Sequence, residues 1–329
     1  MGYGYGYGYG YGYGYGGGAG SSGGALRNMP AELAPKPWVL DYTPDGTGMP
    51  TLPQWIVPDL QAAYPVALWD PPLLATLAAN EFAAKESEWQ AIDADLENIG
   101  YPKHLEWTQA NEWRTATGTA ADDVIKGEIY NLLAQMADDR DRYMPEIMAQ
   151  ADAAPVYWLQ LLNLGAGEKP YTTALISYAQ RIGEAVALHY KYRYQRARPS
   201  ALCPGLLVPF GPPRHPAFPS GHALTSHLTS GLLRKIASID IHKGRELDWL
   251  AGRVAKNRER AGLHYPSDSV AGMLLARRLV ERLFADDATA IVNPLFRSKT
   301  PYDPCATPAE PAPGLFERAQ FEWLNLGPV

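Results

Sequence analysis

The sequence predicts an all-α protein, a helical bundle, and three observations carry that prediction. Capping residues and prolines stand where helical segments begin, as in Asp70 followed by Pro71 and Pro72. Alternating β-branched segments, which would predict strands, are nearly absent. Apolar residues recur at helical spacing, first at Leu73, Leu74, Leu77, Ala78 and Phe82. We therefore expect one α-helical domain over residues 25–329, preceded by a low-complexity segment over residues 1–24.

Residues 2–16 alternate glycine and tyrosine strictly. In an extended chain this period places the tyrosines on one face and the glycines on the other, a pattern that can stack into sheets. A disordered low-complexity tail is the alternative interpretation. Our hypothesis is that the repeat drives self-assembly, so we expect a homo-oligomer or a fibre formed through residues 2–16.

The first helices are predicted from caps and apolar stripes. Residues 25–70 are rich in proline and aromatic residues and predict irregular chain around the helical body. The helix that begins after Asp70 continues to about Glu97. A second begins after Thr119, has acidic residues in its first turn, and carries its pattern to residue 150.

The later helices follow from the same signals. Residues 155–164 form a short apolar segment that GAGEKP interrupts, and a long helix runs from Tyr171 to the residue before Pro199. Three more helices are predicted over residues 220–238, 244–261 and 267–284. A proline-rich loop over residues 301–313 then leads to a short helix that docks by Leu315, Phe316, Phe321 and Trp323.

Composition and charge exclude several classes of function. The first 24 residues hold 13 of the 31 glycines and 7 of the 20 tyrosines, so the remaining chain has an ordinary globular composition. A net charge of −6 offers no basic face, so no nucleic-acid partner is expected. No apolar run approaches the roughly 18 residues of a membrane span, and no secretory signal is recognisable. We expect a soluble protein, either cytoplasmic or exported by a non-classical route.

The two cysteines, Cys203 and Cys305, are too few for a disulfide scaffold and lack the spacing of a metal site. Two unrelated reduced thiols are the simpler interpretation. A single bridge that ties the C-terminal tail to the region of residue 203 is the alternative.

Residues 191–199 read KYRYQRARP and place two cations seven positions apart. On a helix this spacing returns Lys191 and Arg198 to nearly the same face, which suits a multiply charged anion. A solvated face would give the same pattern. Arg193 and Arg196, on other faces, are predicted to be solvated.

Residues 215–223 read HPAFPSGHA. Ser220 can cap the helix that follows, and Gly221 allows the backbone close to a ligand. A helix N-terminus offers unpaired N–H groups and the positive end of the helix dipole, so this turn can bind an oxyanion. His222 in the first turn is placed to donate a proton, although it could equally be a structural imidazole.

Residues 257–268 read NRERAGLHYPSD. Arg258 offers a guanidinium that matches tetrahedral oxyanions, and Gly262 breaks the helix so that His264 can turn inward. Asp268 lies four residues beyond His264, within reach of its Nδ1, where it would fix the tautomer and raise the basicity of Nε2. This pattern is typical of a nucleophilic or metal-ligating histidine, and equally of a helix-capping aspartate beside a buried histidine.

Together the three segments resemble the superfamily of type 2 phosphatidic acid phosphatases and vanadium-dependent haloperoxidases. Its signature is Lys, six residues, Arg-Pro; then Pro-Ser-Gly-His; then Ser-Arg, five residues, His, three residues, Asp. The one departure is Asn257, where the family has Ser. The motif region covers about a quarter of the chain. The matching residues are Lys191, Arg198, Pro199, Pro219, Ser220, Gly221, His222, Arg258, His264 and Asp268.

The resemblance implies the haloperoxidase or acid phosphatase type of helical bundle, with an oxyanion site within residues 191–268. It implies that Lys191, Arg198 and Arg258 neutralise the equatorial oxygens of phosphate or vanadate. The hydroxyl of Ser220 and the N–H of Gly221 would help to hold the same oxygens.

The resemblance also assigns chemistry to the two motif histidines. His264, with Asp268 behind it, would attack phosphorus or coordinate vanadium at the apical position, and His222 would act as acid or base on the opposite side. The same geometry serves both chemistries, so the motif does not separate them. The cofactor would be vanadate for a haloperoxidase, and there would be none for a phosphatase.

Two observations favour the haloperoxidase interpretation, with peroxide and halide as small-molecule substrates. Membrane helices are absent from the sequence, unlike in an integral lipid phosphatase. His215, seven residues before His222, matches the HP-x-aromatic-PSGH pattern of bromoperoxidases, where a second imidazole could tune protonation of bound peroxide. One alternative is a soluble acid phosphatase acting through a phosphohistidine at His264. A second is a fibre-forming structural protein with an idle pocket.

Overall fold

The described part of the chain is built from α-helices. The computed structural model describes residues 70–85, 92, 120–165, 167–303 and 312–324, with side chains from residue 125 onward in the second helix. Within these ranges no residue lies in a β-strand, which confirms the all-α prediction. No helix in the same ranges is long and apolar enough to cross a membrane. The Gly-Tyr repeat, the segment before Asp70, and Cys305 lie outside the described residues.

The first five helices in chain order are α1 (Pro71–Ala84), α2 (Ala120–Asp138), α3 (Arg140–Ala153), α4 (Val156–Leu161) and α5 (Pro170–Tyr194). They are followed by α6 (Pro199–Leu202), a 3₁₀ turn (Pro204–Leu206), α7 (Gly221–Arg234), α8 (Ala237–Arg260), α9 (Pro266–Phe284) and α10 (Leu315–Phe321). The starts of α7 and α9 agree with the sequence prediction to within one residue.

Several predicted helices end earlier than expected, and one of them is α7, which ends at Arg234 instead of residue 238. Helix α1 ends at Ala84, where the N–H of Lys85 bonds the carbonyl of Phe82 and tightens the last turn. The prediction extended this helix to Glu97, but beyond Lys85 only Ile92 of that stretch is among the described residues. Leu73, one of the apolar residues at helical spacing, is 55 % exposed.

The predicted single helix over residues 119–150 is divided at Asp139, between α2 and α3. Arg140, the first residue of α3, is buried and donates to the carbonyl oxygens of Leu206, Leu207 and Arg260. These tertiary bonds fix the direction in which α3 leaves Asp139, and no local sequence signal announces them.

Helix α5 also ends early, and this changes the argument for the first motif. Gln195 adopts a left-handed conformation with φ of 52°, and its N–H bonds the carbonyl of Lys191. Arg198 therefore lies outside α5, in extended chain that caps α6. The prediction that Lys191 and Arg198 share a helical face is wrong, although the turn at Gln195 still directs both side chains to one region.

Helix α7 is the centre of the bundle, where it packs against α5, α8 and α9. Buried polar bonds fix its position, since Gln180 on α5 donates to Thr229 and Trp158 on α4 donates to Ser230. It approaches α9 closely, because a Cβ on Gly272 would lie 2.7 Å from the carbonyl oxygen of Ser220. Only glycine permits this approach, which holds the N-terminal turns of α7 and α9 together.

The C-terminal helix docks on the bundle, as predicted. Leu315, Phe316 and Trp323 are buried, whereas Phe321 is only partly so. The carboxylate of Glu322 accepts the N–H groups at the start of α5, at Tyr171 and its neighbour. Cys203 is half-buried and forms no disulfide with a described residue.

Candidate active site

The three motif segments meet where the N-terminal turns of α7 and α9 touch the C-terminal turns of α5 and α8. The N–H of Ser220 donates to the carbonyl of Asp268 at 3.0 Å, so the PSGH turn and the turn after His264 share a backbone hydrogen bond. Gly262, with φ of 72°, ends α8 and turns the chain toward His264. The sequence predicted this bend, and the structure contains it.

The PSGH turn caps α7 in the predicted way. The hydroxyl of Ser220 is fully buried and accepts the N–H of Ala223 at 3.3 Å. Gly221 is the first helical residue, so its N–H belongs to the first-turn donors that α7 itself does not use. His222 follows, 8 % exposed, and its Nε2 has no hydrogen-bond partner among the described residues.

His264 and Asp268 make the contact that their spacing predicts. The Nδ1 of His264 lies 3.2 Å from Oδ2 of Asp268, which also accepts the N–H of Tyr265 at 3.0 Å. The aspartate therefore both caps α9 and orients the histidine, a contact that both interpretations of the sequence share. An acceptor at Nδ1 places the imidazole proton there and leaves the lone pair at Nε2.

Arg198 joins the two ends of the site. Its Nη1 lies 3.0 Å from Nε2 of His264 and donates to the carbonyl of Leu263 at 2.8 Å. Its Nη2 lies 3.0 Å from Nδ1 of His215, and its Nε donates to the His215 carbonyl at 3.1 Å. His215 thus belongs to the same cluster as His264, with one guanidinium between the two imidazoles.

Lys191 is buried beside the PSGH turn. Its ammonium group donates to the carbonyl oxygens of Pro216, Ala217 and Pro219, at 2.9, 3.0 and 2.6 Å. The cation therefore holds in place the loop that precedes Ser220. To bind an oxyanion, the ammonium group must exchange at least one of these carbonyl oxygens.

Arg258, on the last turn of α8, approaches the site from the His222 side. Its side chain is buried, and its Nη2 donates to the carbonyl of Ile147 at 2.5 Å. Its neighbour Asn257, the one departure from the family signature, is fully buried and donates to Gln150 of α3. The asparagine therefore connects two helices and lies outside the anion-binding set.

Burial and positive charge shape the ionisation of the site. Burial, and then the charge of Arg258, lowers the pKa of His222 to about 3. Burial, followed by Lys191 and Arg198, lowers the pKa of His215 to about 4. The same two cations, after burial, hold the pKa of His264 well below its usual range. The three imidazoles are therefore neutral at neutral pH.

The pKa of Lys191 is also lowered by burial and by a neighbouring positive charge. Burial, and then repulsion by Arg198, lowers the pKa of its ammonium group well below the usual range. Asp268 opposes this shift as the third contribution. A negatively charged group placed among these cations would relieve the repulsion.

Arg196 is the residue that sequence reasoning missed. It was predicted to be solvated, but its side chain is 2 % exposed and bonds Oδ1 of Asp268 and Oε2 of Glu128, at 2.5 and 2.9 Å. The signal available in the sequence was indirect, because a fully buried aspartate beside a neutral imidazole requires a cation. Residues 191–199 contain three arginines, Arg193, Arg196 and Arg198, and spacing alone does not select among them.

The donor set fits an oxyanion. Two guanidinium groups, one ammonium group and the first turn of α7 offer hydrogen bonds, and the buried Nε2 of His222 has no partner within the described residues. The lone pair at Nε2 of His264 faces Nη1 of Arg198 at 3.0 Å, so a group that binds this nitrogen must exchange that contact. Elsewhere in the described ranges, no group of three or more His, Cys, Asp or Glu side chains is arranged to hold a metal ion. Comparison of the chain with models of protein families and with curated proteins finds no match.

Proposed function

We propose that the protein is a vanadate-dependent, haloperoxidase-like enzyme that oxidises halide with hydrogen peroxide. The observation that carries the proposal is the setting of His264. Asp268 occupies Nδ1 at 3.2 Å, and the guanidinium of Arg198 faces Nε2 at 3.0 Å, inside a cluster of buried cations. An imidazole fixed in this tautomer, beside donors for oxyanion oxygens, would hold vanadate through Nε2 once the contact with Arg198 is exchanged.

The residues that would hold vanadate are Lys191, Arg198 and Arg258, with the hydroxyl of Ser220 and the N–H of Gly221. Vanadate, when bound, supplies a centre that activates peroxide toward halide. The contribution of the chain is to neutralise the oxyanion and to orient it against His264. The cations are buried, so their charges act through a low dielectric and are worth more than on the surface.

His222 and His215 would handle protons. The imidazole of His222 lies beside the backbone of Gln150 and Ala151, and a bound dianion beside Arg258 would raise its pKa from about 3. His215 contacts the guanidinium of Arg198, which also contacts His264. A change of protonation at either imidazole therefore affects the other through this guanidinium. The preference for a haloperoxidase over a phosphatase rests on the sequence pattern around His215, which resembles that of bromoperoxidases.

Hydrolysis of phosphate monoesters is the second candidate, and the neutral state of His264 supports it. In this reaction the bound phosphate dianion raises the pKa of His222, so that its imidazole carries a proton. Nε2 of His264 attacks phosphorus, the ester P–O bond breaks, and His222 gives that proton to the departing alkoxide. Water then releases phosphate from the phosphohistidine, with His222 taking back a proton. The same cations serve both reactions, so the activities must be separated by experiment.

The test is a paired assay of the full-length protein. Protein loaded with orthovanadate is assayed for bromide oxidation by hydrogen peroxide, and the protein without vanadate is assayed for hydrolysis of an aryl phosphate. His264→Ala is compared with His242→Ala, since His242 is an exposed histidine on α8 and serves as a matched control.

Bromide oxidation that is lost in His264→Ala and kept in His242→Ala is the expected result. Hydrolysis without bromide oxidation, inhibited by vanadate, would replace the first proposal with the second. If neither activity appears, a structural protein with an idle pocket becomes the better description. In that case deletion of residues 2–24 should change the size of the assemblies seen by light scattering.

A further inference from the structure

We propose that Arg196, supported by Glu128, is a positioning residue that orients the Asp268 carboxylate and through it the imidazole of His264. The inference rests on the proposed function, because it concerns the same histidine. It adds two residues that lie outside the family signature. One of them is on α2, far from the three motif segments in the sequence.

The contacts of Arg196 are those of a fixed side chain. Nη1 donates to Oδ1 of Asp268 at 2.5 Å and to Oγ of Ser267 at 2.7 Å, while Nη2 donates to Glu128 at 2.9 Å. The guanidinium lies over the ring of Tyr265, with Cζ 3.8 Å from the ring centroid. The planar group is thus held on its edges by two carboxylates and on one face by an aromatic ring.

The two oxygens of Asp268 have separate tasks. Oδ1 accepts from Arg196, and Oδ2 accepts the N–H of Tyr265 and faces Nδ1 of His264. Because the carboxylate is fully buried, no solvent replaces a lost donor. Without the guanidinium the carboxylate could rotate, and Oδ2 would no longer be held against the imidazole.

Glu128 fixes the guanidinium in turn. Its side chain is only 13 % exposed, and its Oε1 accepts the N–H of Ser267 at 2.7 Å in the first turn of α9. Its Oε2 accepts both the hydroxyl of Ser267 and Nη2 of Arg196, each at 2.9 Å. Glu128 therefore ties α2 to the turn that carries Asp268 and sets the angle of Arg196.

A continuous row of charge-assisted bonds results, from Glu128 through Arg196 and Asp268 to His264. Lysine at position 196 could reach one carboxylate as a point charge, but it could not bridge two in the plane of a guanidinium. Mutation of a residue that orients a catalytic or metal-bound histidine from behind typically changes affinity or activity by about 10–100-fold.

The experiment compares full-length wild type with Arg196→Gln, Arg196→Lys and Glu128→Gln. Arg193→Gln is the matched control, because Arg193 is an exposed arginine three residues away. Histidines are labelled with ¹⁵N, and the ring resonances of His264 are identified by their loss in His264→Gln. The binding probe is orthovanadate alone, measured by calorimetry, and thermal unfolding reports the folded fraction.

We expect wild type and Arg193→Gln to show the tautomer of His264 with the proton on Nδ1. Arg196→Gln should show a mixture of tautomers and bind vanadate about 10–100-fold more weakly, with Arg196→Lys recovering part of the loss. Glu128→Gln should have the smaller effect, a loss of vanadate affinity of about 10-fold. This variant tests the positioning role if Arg196→Gln does not fold. In kinetics, kcat should fall while KM changes little.

A merely structural role predicts a different pattern. If the folded variants unfold at lower temperature but keep the His264 tautomer, the vanadate affinity and kcat, the positioning role is overturned. The outcome is separable from the proposed function, because the tautomer and vanadate affinity need no catalysis. Suppose that wild type binds vanadate but has no activity, and that Arg196→Gln changes the His264 tautomer. This result would remove the proposed function and keep the positioning role.

Discussion

An oxyanion should stabilise the folded protein, because its site gathers buried cations that repel one another. Burial and the charge of Arg198 together lower the pKa of Lys191, and both cations lower the pKa of His264. A dianion between them offsets this repulsion and replaces carbonyl acceptors with stronger, charge-assisted ones. The perturbation is therefore the addition of orthovanadate or phosphate to the full-length protein.

The size of the effect follows from mass action. A ligand that binds only the folded state, present at 100 times its dissociation constant, stabilises that state by about 2.7 kcal/mol. The compact unit that holds the site spans Trp69–Val329. For a unit of about this size each kcal/mol raises Tm by about 2–4 °C, so the expected shift is about 5–11 °C.

Differential scanning calorimetry measures the shift, with chloride at matched ionic strength as the reference. Arg198→Met should abolish most of it, because this guanidinium contacts both His215 and His264. Arg277→Met, which removes a guanidinium that is 76 % exposed, should keep the full shift. Millimolar vanadate that leaves Tm unchanged, or an equal shift in Arg198→Met, would refute the reasoning.

Three further predictions concern stability. Gly272→Ala should destabilise the fold by about 1–3 kcal/mol in urea unfolding, because the added Cβ would press on the backbone of α7. The control is Gly252→Ala, in open space on α8, which should be neutral or stabilising. Asp268→Asn should cost about 3 kcal/mol in the same assay, because Arg196 loses one of two carboxylates. Burial lowers the pKa of His227 to about 4, so wild type should lose about 2 kcal/mol relative to His227→Leu as pH falls from about 7.5 to 5.

The pH prediction has a definite sign. The folded-state pKa of His227 lies below the unfolded value of about 6.5, so its contribution is complete above that value and declines as pH falls toward 4. A difference between wild type and His227→Leu that is constant with pH would contradict it. Equal unfolding free energies for Gly272→Ala and Gly252→Ala would contradict the packing argument. For Asp268→Asn, wild-type stability would show that Glu128 alone satisfies Arg196.

Much of the candidate site could be predicted because its residues stand at helix ends. Caps, prolines and glycines mark those ends in the sequence, and the contact between His264 and Asp268 follows from four-residue spacing at the start of α9. The end of a helix was not predicted where the helix stops without a glycine or proline. Gln195 takes a left-handed conformation, so helical spacing beyond it gave the wrong faces for Arg196 and Arg198.

The remaining features depend on contacts between distant parts of the chain. Glu128 reaches Arg196 only because α2 lies against the first turn of α9, and no local pattern on α2 distinguishes this glutamate from its acidic neighbours. The division between α2 and α3 depends on carbonyl groups that Arg140 finds in α8 and the 3₁₀ turn. Such contacts depend on how the helices pack, which periodicity does not encode.

The contact of α7 and α9 at Gly272 has a consequence for engineering. The backbones of α7 and α9 touch at Gly272, so the positions of His222 and His264 depend on core packing. Local substitutions are therefore a poor way to move these histidines. Residues 211–214 offer a more exposed region, and Phe210 just before them has its ring 6.0 Å from the guanidinium carbon of Arg258. Libraries that vary this loop can change which molecules approach Arg258 while the imidazoles stay where the helices hold them.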